Sequence, residues 1–185
     1  MVVIGASTGG PQALTRLLKA MPAELPVPLA VIVHLPPGYT ETFAARVNEE
    51  CAIDVQEASE GVLLRPGLAI VGRSGMHLKL QRTGAQVAAH LDLLPAATPH
   101  RPSVDVLFES AAEVYGHAVL GVVLTGMGDD GARGAKAIDA AGGQVLTESE
   151  ESCVVYGMPR CVVEAGISSG QAPIGEMAAE ILKML

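Results

Sequence analysis

The sequence predicts an α/β fold: a doubly wound, mainly parallel sheet with helices on both faces, in a Rossmann-like three-layer arrangement, plus a small β-hairpin. Short apolar runs, as buried parallel strands require, alternate along the chain with stretches of helical periodicity. The composition is 49% apolar but only 3% aromatic, which suits close packing of helices on a sheet. A length of 185 residues is enough for one domain with a sizeable core.

Several short apolar runs are interpreted as strands. They are rich in Val, Ile and Leu and are bounded by glycine, proline or polar residues. In chain order they are Met1–Ile4, Leu29–Val33, Ile53–Glu57, Leu68–Val71, Val119–Leu124, Gly143–Leu146 and a weaker run near Gly166–Ser168. Because helix-like stretches alternate with these runs along the chain, they predict a mainly parallel sheet with helices on both faces.

The segments between these runs carry apolar residues at helical spacing. Pro11–Ala20 has a proline in its first turn and leucines along one side, as expected of an amphipathic helix. Further helices are predicted over Tyr39–Glu50, Val104–Tyr115, Arg133–Ala141 and Ile174–Leu185. His77–Leu94 differs, because its alternating pattern predicts a hairpin with Arg82-Thr83-Gly84 as the turn.

Charge and composition exclude several classes of protein. A formal net charge of −8 argues against nucleic-acid binding, which needs clustered Lys and Arg, and against docking on anionic lipid. No apolar run approaches the ~20 residues that span a bilayer, so we expect no membrane insertion. Cys51, Cys153 and Cys161 lack metal-ligand spacing, and we see no secretion signal. We therefore expect reduced thiols and a cytoplasmic location.

A glycine-rich turn, Gly5-Ala6-Ser7-Thr8-Gly9-Gly10, directly follows the first apolar run. Such a turn between a strand and a helix can expose a serine hydroxyl beside backbone N–H groups that stabilise developing negative charge. The same kind of turn also binds phosphates, and many are only tight turns. Taken alone, the segment is compatible with a nucleophile, a phosphate cradle or a plain turn.

A serine, a histidine and a carboxylate each follow an apolar run. Ser7 follows the first run, His34 the second, and Asp129 and Asp130 follow the run that ends at Leu124. The carboxyl ends of parallel strands form the edge where α/β proteins place their active sites. A serine hydroxyl needs a base to accept its proton, and the base needs a carboxylate to orient it. These positions therefore predict a hydrolase triad.

Longer motifs extend this pattern over nearly the whole chain. They are the turn at Gly5–Gly10, His34-Leu35-Pro36-Pro37-Gly38-Tyr39-Thr40, Arg101-Pro102-Ser103-Val104-Asp105-Val106-Leu107-Phe108, Leu124-Thr125-Gly126-Met127-Gly128-Asp129-Asp130-Gly131 and Cys153-Val154-Val155-Tyr156-Gly157-Met158-Pro159-Arg160. In this order they resemble the successive signatures of the CheB family, the protein-glutamate methylesterases of bacterial chemotaxis. The resemblance implies a doubly wound α/β domain and a Ser–His–Asp hydrolase.

The resemblance also implies a role for individual residues. Ser7 matches the nucleophile and His34 the general base. Asp130, rather than the aspartate before it, matches the catalytic aspartate because it directly precedes a glycine. Met127 matches the position associated with the oxyanion hole, and Thr8 lies beside the nucleophile, where it can help to position the acyl group.

The implied reaction is hydrolysis of γ-glutamyl methyl esters on the cytoplasmic helices of methyl-accepting chemoreceptors, with release of methanol. Members of the family often also deamidate receptor glutamines. No cofactor and no metal are implied. We expect residues 1–185 to form a single methylesterase catalytic domain without a receiver domain, and a receiver domain in a longer parent protein is an expected partner.

Two alternative hypotheses are also considered: one comes from a departure from the family's motif around His34, and the other from a comparison with nucleotide-binding motifs. Val33 and Leu35 flank His34 where relatives usually carry Gln and Met, so a catalytically weak receptor- or scaffold-binding module is a second hypothesis. A nucleotide-binding protein is a third, disfavoured because the turn at residues 5–10 lacks the Lys-Ser/Thr of a phosphate loop and Asp54 lies in no clear dinucleotide fingerprint.

Purely structural roles are also expected for some polar residues. Ser103 is a candidate N-cap of the helix at Val104, and Asp130 could instead cap the helix that follows it. His77 and His100 are expected to have surface or structural roles, although both could line the cleft. The acidic run Glu148–Glu151 reads as a solvated loop.

Overall fold

The computed structural model describes residues 1–185 and has a parallel seven-stranded sheet at its centre. The strands are β1 Val2–Ala6, β2 Leu29–Val33, β3 Asp54–Glu57, β4 Leu68–Val71, β5 His77–Thr83, β6 Gln86–Asp92, β7 Leu120–Val123, β8 Gln144–Glu148 and β9 Gly170–Ala172. The large sheet has the order β3-β4-β2-β1-β7-β8-β9, and β5 and β6 form a separate antiparallel pair. The predicted parallel sheet and hairpin are therefore confirmed.

Helices cover both faces of this sheet, as the fold class predicted. They are α1 Gly10–Lys19, α2 Tyr39–Glu50, α3 Val104–Tyr115, α4 Ala132–Ala140, α5 Met158–Glu164 and α6 Met177–Lys183. One apolar cluster joins the sheet to α1, α2 and α6 through residues such as Leu14, Phe43 and Ile181. A second cluster joins the opposite face to α3, α4 and α5.

The central strands are apolar throughout because each contributes to both clusters. In β1, Val2 and Ile4 pack in the first cluster, whereas Val3 packs in the second. Every residue of β1 and β2 is buried. Successive strand residues point to opposite faces, so a strand covered on both sides has no polar face to display. This is why these strands appear in the sequence as continuous runs.

The structure differs from the sequence prediction mainly after residue 157. Helix α5 was missed, because it is only seven residues long and starts with a proline in its first turn, so it shows too little periodicity. The last helix begins at Met177 rather than Ile174, since Pro173 and Glu176 form a preceding turn. Strand β9 lies at Gly170–Ala172 instead of 166–168.

The hairpin turn is shifted by one residue from the expected position. Thr83 pairs with Gln86, so Gly84 and Ala85 form the turn, and Gly84 has the positive φ of 63° that turns of this kind need. The hairpin packs on α3, where Ser110 Oγ accepts the Leu80 N–H at 3.0 Å. None of the helices combines the length and apolar character required to cross a membrane.

Strand order brings the predicted site residues to one place. β1 lies between β2 and β7, with β2 and the strands beyond it on one side and β7 and its neighbours on the other. The chain thus reverses its direction of winding at β1, and a crevice opens at the carboxyl ends of the strands at such a point. The segments after β1, β2 and β7 carry Ser7, His34 and Asp130.

Candidate active site

Ser7 lies in a sharp turn between β1 and α1. Its backbone N–H donates to the Thr125 carbonyl at 3.0 Å, and its own carbonyl accepts the Gly10 N–H at 2.7 Å. Gly9 has the left-handed φ of 81°, which a residue with a side chain rarely adopts. A Cβ at Gly9 would also stand 2.6 Å from Val154. The glycines therefore allow the tight turn that exposes the Ser7 side chain at the sheet edge.

His34 directly follows β2 and faces Ser7. Its N–H donates to the Ala6 carbonyl at 3.2 Å, and its Nδ1 lies 3.1 Å from Ser7 Oγ. The next residue is fixed as well, since Ser74 Oγ donates to the Leu35 carbonyl at 2.8 Å. The imidazole side chain is only 13% exposed. Hydrogen bonds thus fix the backbone at His34 and at the residue that follows it.

Asp130 lies on the other side of the His34 ring. Its Oδ2 is 2.9 Å from His34 Nε2 and accepts the Val104 N–H at 2.8 Å. Its Oδ1 accepts the Ser103 hydroxyl at 2.8 Å and the Asp105 N–H at 3.0 Å. Burial by itself would raise the pKa of Asp130, but these hydrogen bonds outweigh it and lower the pKa to about 2.

The ionised Asp130 determines which nitrogen of His34 carries the proton. A carboxylate without a proton only accepts hydrogen bonds, so the proton lies on Nε2, which faces Asp130. The lone pair of Nδ1 then points at the Ser7 hydroxyl. Chymotrypsin-type triads use the two nitrogens in the opposite sense, but the requirements are the same. Nδ1 is therefore the atom that can accept the proton of Ser7.

The capping expected of Ser103 and Asp130 is arranged differently. Ser103 does occupy the N-cap position of α3, but its hydroxyl makes no capping hydrogen bond and donates to Asp130 instead. Asp130 caps α3 rather than the following helix, because its carboxylate meets the free N–H groups of the α3 first turn. Asp105 in turn accepts the Gly131 and Gly134 N–H groups at 2.9 and 2.8 Å at the start of α4.

The loop after β7 passes directly against Ser7. A Cβ on Gly126 would lie 2.8 Å from Ser7 Cβ, so only glycine fits there. The backbone N–H groups of Thr8 and Met127 donate to no acceptor within the protein, which leaves them available to an oxyanion. The Met127 side chain is 69% exposed, so it is not a core residue. Thr8 thus follows Ser7 in the first turn, and Met127 follows Gly126 in the loop that packs against it.

Sequence reasoning missed Glu148 as part of the site's support. This side chain is fully buried, and its two oxygens accept the Thr125 N–H and the Ser152 hydroxyl, each at 2.8 Å. Thr125 Oγ1 then donates to the Thr8 carbonyl at 2.9 Å. The interpretation of the acidic run as a solvated loop is therefore wrong for Glu148. Its position at the end of an apolar strand was the available signal.

His77 and His100, the two histidines considered as possible cleft residues, differ in position and role. His77 is buried, and its Nδ1 accepts the Ser103 N–H at 3.3 Å, so it is structural as expected. His100 lines the cleft instead, with its ring stacked on that of His34 at a centroid distance of 4.1 Å. Burial and the neighbouring His34 lower the pKa of His100. No group of three or more His, Cys, Asp or Glu side chains is placed to hold a metal ion.

The sequence of the chain is similar to those of known enzymes. A protein-glutamate methylesterase/protein-glutamine glutaminase 5 from Myxococcus xanthus (strain DK1622) is 60% identical over 179 residues, which are 97% of this chain and 51% of that protein. A protein-glutamate methylesterase/protein-glutamine glutaminase from Desulfitobacterium hafniense (strain Y51) is 44% identical over 184 residues, which are 99% of this chain and 47% of that protein. The chain thus spans about half the length of the curated relatives it matches.

The fold has a close counterpart among solved structures. The crystal structure of the Thermotoga maritima CheB methylesterase catalytic domain matches with a TM-score of 0.97 and 36% sequence identity, covering 100% of this chain and 97% of that one. The CheB methylesterase family itself matches residues 2–181. The protein therefore belongs to the CheB methylesterase family.

Proposed function

We propose that this protein is a serine hydrolase that removes methyl esters from glutamyl residues of the cytoplasmic helices of methyl-accepting chemoreceptors. One observation carries the proposal: the hydrogen-bonded chain from Ser7 through His34 to the ionised Asp130. The names of the relatives, protein-glutamate methylesterase/protein-glutamine glutaminase, support the choice of substrate. The location that goes with this substrate is the cytoplasm.

The first half of the reaction forms an acyl-enzyme. Ser7 Oγ attacks the ester carbonyl while His34 Nδ1 accepts its proton, and Asp130 stabilises the imidazolium that results. The carbonyl oxygen becomes negative in the tetrahedral intermediate, and the free N–H groups of Thr8 and Met127 stabilise it. His34 then donates the proton to the leaving methoxide, and methanol departs.

The second half regenerates the enzyme. Water enters the position that methanol has left, His34 Nδ1 accepts one of its protons, and the hydroxide attacks the acyl carbon. Collapse of this second intermediate returns the proton to Ser7 and releases a glutamate side chain. Deamidation of glutamine follows the same route with ammonia as the leaving group. The mechanism uses only side chains, backbone N–H groups and water, and requires no cofactor or metal.

The test is methanol release from a methylated chemoreceptor cytoplasmic fragment, comparing the unmodified protein with Ser7→Ala. We expect release by the former and a loss of roughly 10⁴-fold or more in the variant. Ammonia release from the unmethylated fragment tests deamidation in parallel. Near-normal turnover by Ser7→Ala would overturn the proposal. Absence of turnover in both proteins, together with binding of the fragment, would favour a receptor-binding module instead.

Two expectations about the wider protein stay predictions. They are that residues 1–185 act as one catalytic unit and that a receiver domain is its regulatory partner. Adding an isolated phosphorylated receiver domain to the methanol assay tests the second. A change in rate that depends on phosphorylation is the expected result.

A further inference from the structure

A groove of about 490 Å³ runs between α1 and α2, outside the residues used by the proposed mechanism. Its lining contains no hydrophobic residue. Three cations face it: Arg16 and Lys19 from α1, and Arg46 from α2. In a chain with a net charge of −8 and only 12 Lys and Arg in total, this concentration of positive charge is unusual.

The positive charge of the groove is only partly neutralised. Glu50 pairs with Lys19 at 2.9 Å and lies 3.8 Å from Arg46. Arg16 is exposed, has no carboxylate partner and lies against Gly175. Three positive charges thus face one negative charge. An anionic group that enters the groove therefore meets a net attraction.

Contacts hold Arg46 at the centre of this surface. Its Nη2 lies 3.5 Å from Thr15 Oγ1 across the groove, and its guanidinium stands 5.7 Å from the centre of the Phe43 ring. An arginine that lies over an aromatic ring and donates a hydrogen bond loses less conformational freedom when it binds a carboxylate than a free side chain does. The groove is therefore partly organised for an acidic ligand.

The groove is lined by the helices that follow the two strand ends carrying Ser7 and His34. Pro11, one of its lining residues, is in the first turn of α1, the helix that follows Ser7. A second cavity of about 200 Å³ shares Arg46 and reaches Leu35, the residue after His34. At a rise of about 1.5 Å per residue, the stretch of α1 from Pro11 to Lys19 leads about 12 Å away from the site.

We propose that this groove binds the acidic flank of the substrate helix, namely glutamate side chains two to three helical turns from the ester being cleaved. The inference rests on the proposed function. Hydrolysis of a glutamyl ester leaves a glutamate, so a helix with more than one such site carries carboxylates near the remaining esters. Laid along α1 with one ester at Ser7, the helix presents these carboxylates to Arg16, Lys19 and Arg46. The groove selects partly demethylated, acidic helices over neutral ones.

The test uses two synthetic helical peptides that share one glutamyl methyl ester. They differ only in four side chains placed two to three turns on either side of it, which are glutamate in one peptide and glutamine in the other. Affinities are measured by fluorescence anisotropy with Ser7→Ala, so that the ester survives. We expect about tenfold tighter binding of the acidic peptide at low salt. This preference should fade above about 0.1 M salt, where exposed charges are screened.

Variants that remove the positive charges of the groove test whether the groove causes the preference for the acidic peptide. Replacing Arg16, Lys19 and Arg46 together by Gln should make the two affinities equal. The matched control, Arg65→Gln with Lys136→Gln and Lys183→Gln, removes the same charge elsewhere on the surface and should keep the preference. If the triple groove variant fails to fold, Arg16→Gln alone should still lower the preference about twofold to threefold.

Two results would overturn the inference: equal affinities for the two peptides in the parent protein, or an unchanged preference in the folded groove variant. Hydrolysis of p-nitrophenyl acetate, measured with Ser7 present, separates this outcome from failure of the proposed function. Its absence in the unmodified protein counts against the hydrolase. The peptide comparison measures binding alone and does not depend on that result.

Discussion

The first turns of α3 and α4 lie side by side, and each is capped by a carboxylate from the other's segment. Asp130, just before α4, accepts the N–H groups of Val104 and Asp105 in α3. Asp105 accepts those at the start of α4. The pKa values of the two carboxylates are nevertheless shifted in opposite directions. Hydrogen bonds outweigh burial and lower the pKa of Asp130 to about 2, whereas burial raises the pKa of Asp105.

The difference between the two caps shows how a structural device becomes part of a site. Both carboxylates satisfy helix N–H groups that would otherwise be unpaired. Asp130 has in addition the Ser103 hydroxyl and the His34 ring as donors, so it stays ionised despite its burial. A carboxylate already held by a helix end cannot rotate away from its histidine. The cap thus supplies the rigidity that a base-orienting group needs.

The largest effect that tests this comparison is the loss of charge at Asp130. Asp130→Asn leaves one oxygen to accept hydrogen bonds and presents an N–H group to donors, so the tautomer and orientation of His34 are lost. We expect kcat for methanol release to fall on the order of 10³- to 10⁴-fold. The matched Asp105→Asn keeps an oxygen for α4, and asparagine caps about as well as aspartate, so its kcat should fall less than about threefold. Equal losses in the two variants would mean that the caps do not differ in function.

The caps also show what could be predicted from the sequence. Ser7, His34 and the pair Asp129–Asp130 were predicted because each follows an apolar run and parallel strands end at one edge, and the family resemblance then selected Asp130. The fold class followed from the same runs. The pairing of Asp130 with α3 depends instead on how two helices far apart in the chain pack together. No local pattern around Ser103 or Asp130 encodes that contact, so each was interpreted as a possible cap of the helix that it precedes.

The same limit explains the other omissions. His100 lies 66 residues after His34, and only the packing of the loop before α3 brings the two rings together. Glu148 was hidden among neighbouring acidic residues, which normally indicate a solvated loop. Helix α5 is too short for its periodicity to stand out. The sequence thus predicts what strand ends and helical repeats determine, and it fails where contacts between distant segments decide.

A third carboxylate extends the comparison, with the second largest expected effect. Glu148 is buried like Asp130 but holds a loop rather than a helix end. Glu148→Leu leaves the buried Thr125 N–H without an acceptor, which should lower the free energy of unfolding by about 1–3 kcal/mol. Because Thr125 contacts Ser7 and Thr8, kcat should also fall about tenfold.

Glu148→Gln is the matched control for this prediction. Glutamine keeps an oxygen for the Thr125 N–H, so stability and kcat should stay close to those of the unmodified protein. Chemical denaturation and the methanol assay measure the two quantities. If Glu148→Gln were as damaging as Glu148→Leu, the negative charge rather than the hydrogen bond would be the contribution of this residue.

The opposite pKa shifts of the two caps predict opposite contributions to acid stability. Asp130 has a folded pKa of about 2 against an ordinary value of 3.8. Its contribution, about 2 kcal/mol from the size of the shift, is complete above 3.8 and is lost as the pH falls through 2. The folded pKa of Asp105 is raised, so its ionisation costs stability above that value, and the cost disappears as the pH falls.

Denaturation between about pH 5 and pH 2 checks both signs. The stability of Asp130→Asn should fall less steeply with acid than that of the unmodified protein. The stability of Asp105→Asn should fall more steeply, because the compensating gain is absent. Parallel curves for all three proteins would show that neither cap contributes to acid unfolding.

The smallest effect concerns His100. Its ring stacks on that of His34, which hydrogen-bonds to Asp130 but not to Asp105. Its lowered pKa keeps it neutral near pH 7, so it acts on His34 as a flat surface rather than as a charge. His100→Ala removes that surface, and kcat should fall about threefold to tenfold, in line with about 0.5–1.5 kcal/mol for a stacked aromatic pair. His100→Phe keeps the surface without a titrating nitrogen, so its kcat should stay within about twofold and its KM should be unchanged. A loss in His100→Phe as large as in His100→Ala would instead mean that a nitrogen of His100 takes part in the reaction, and the pH profile of kcat would then change in both variants.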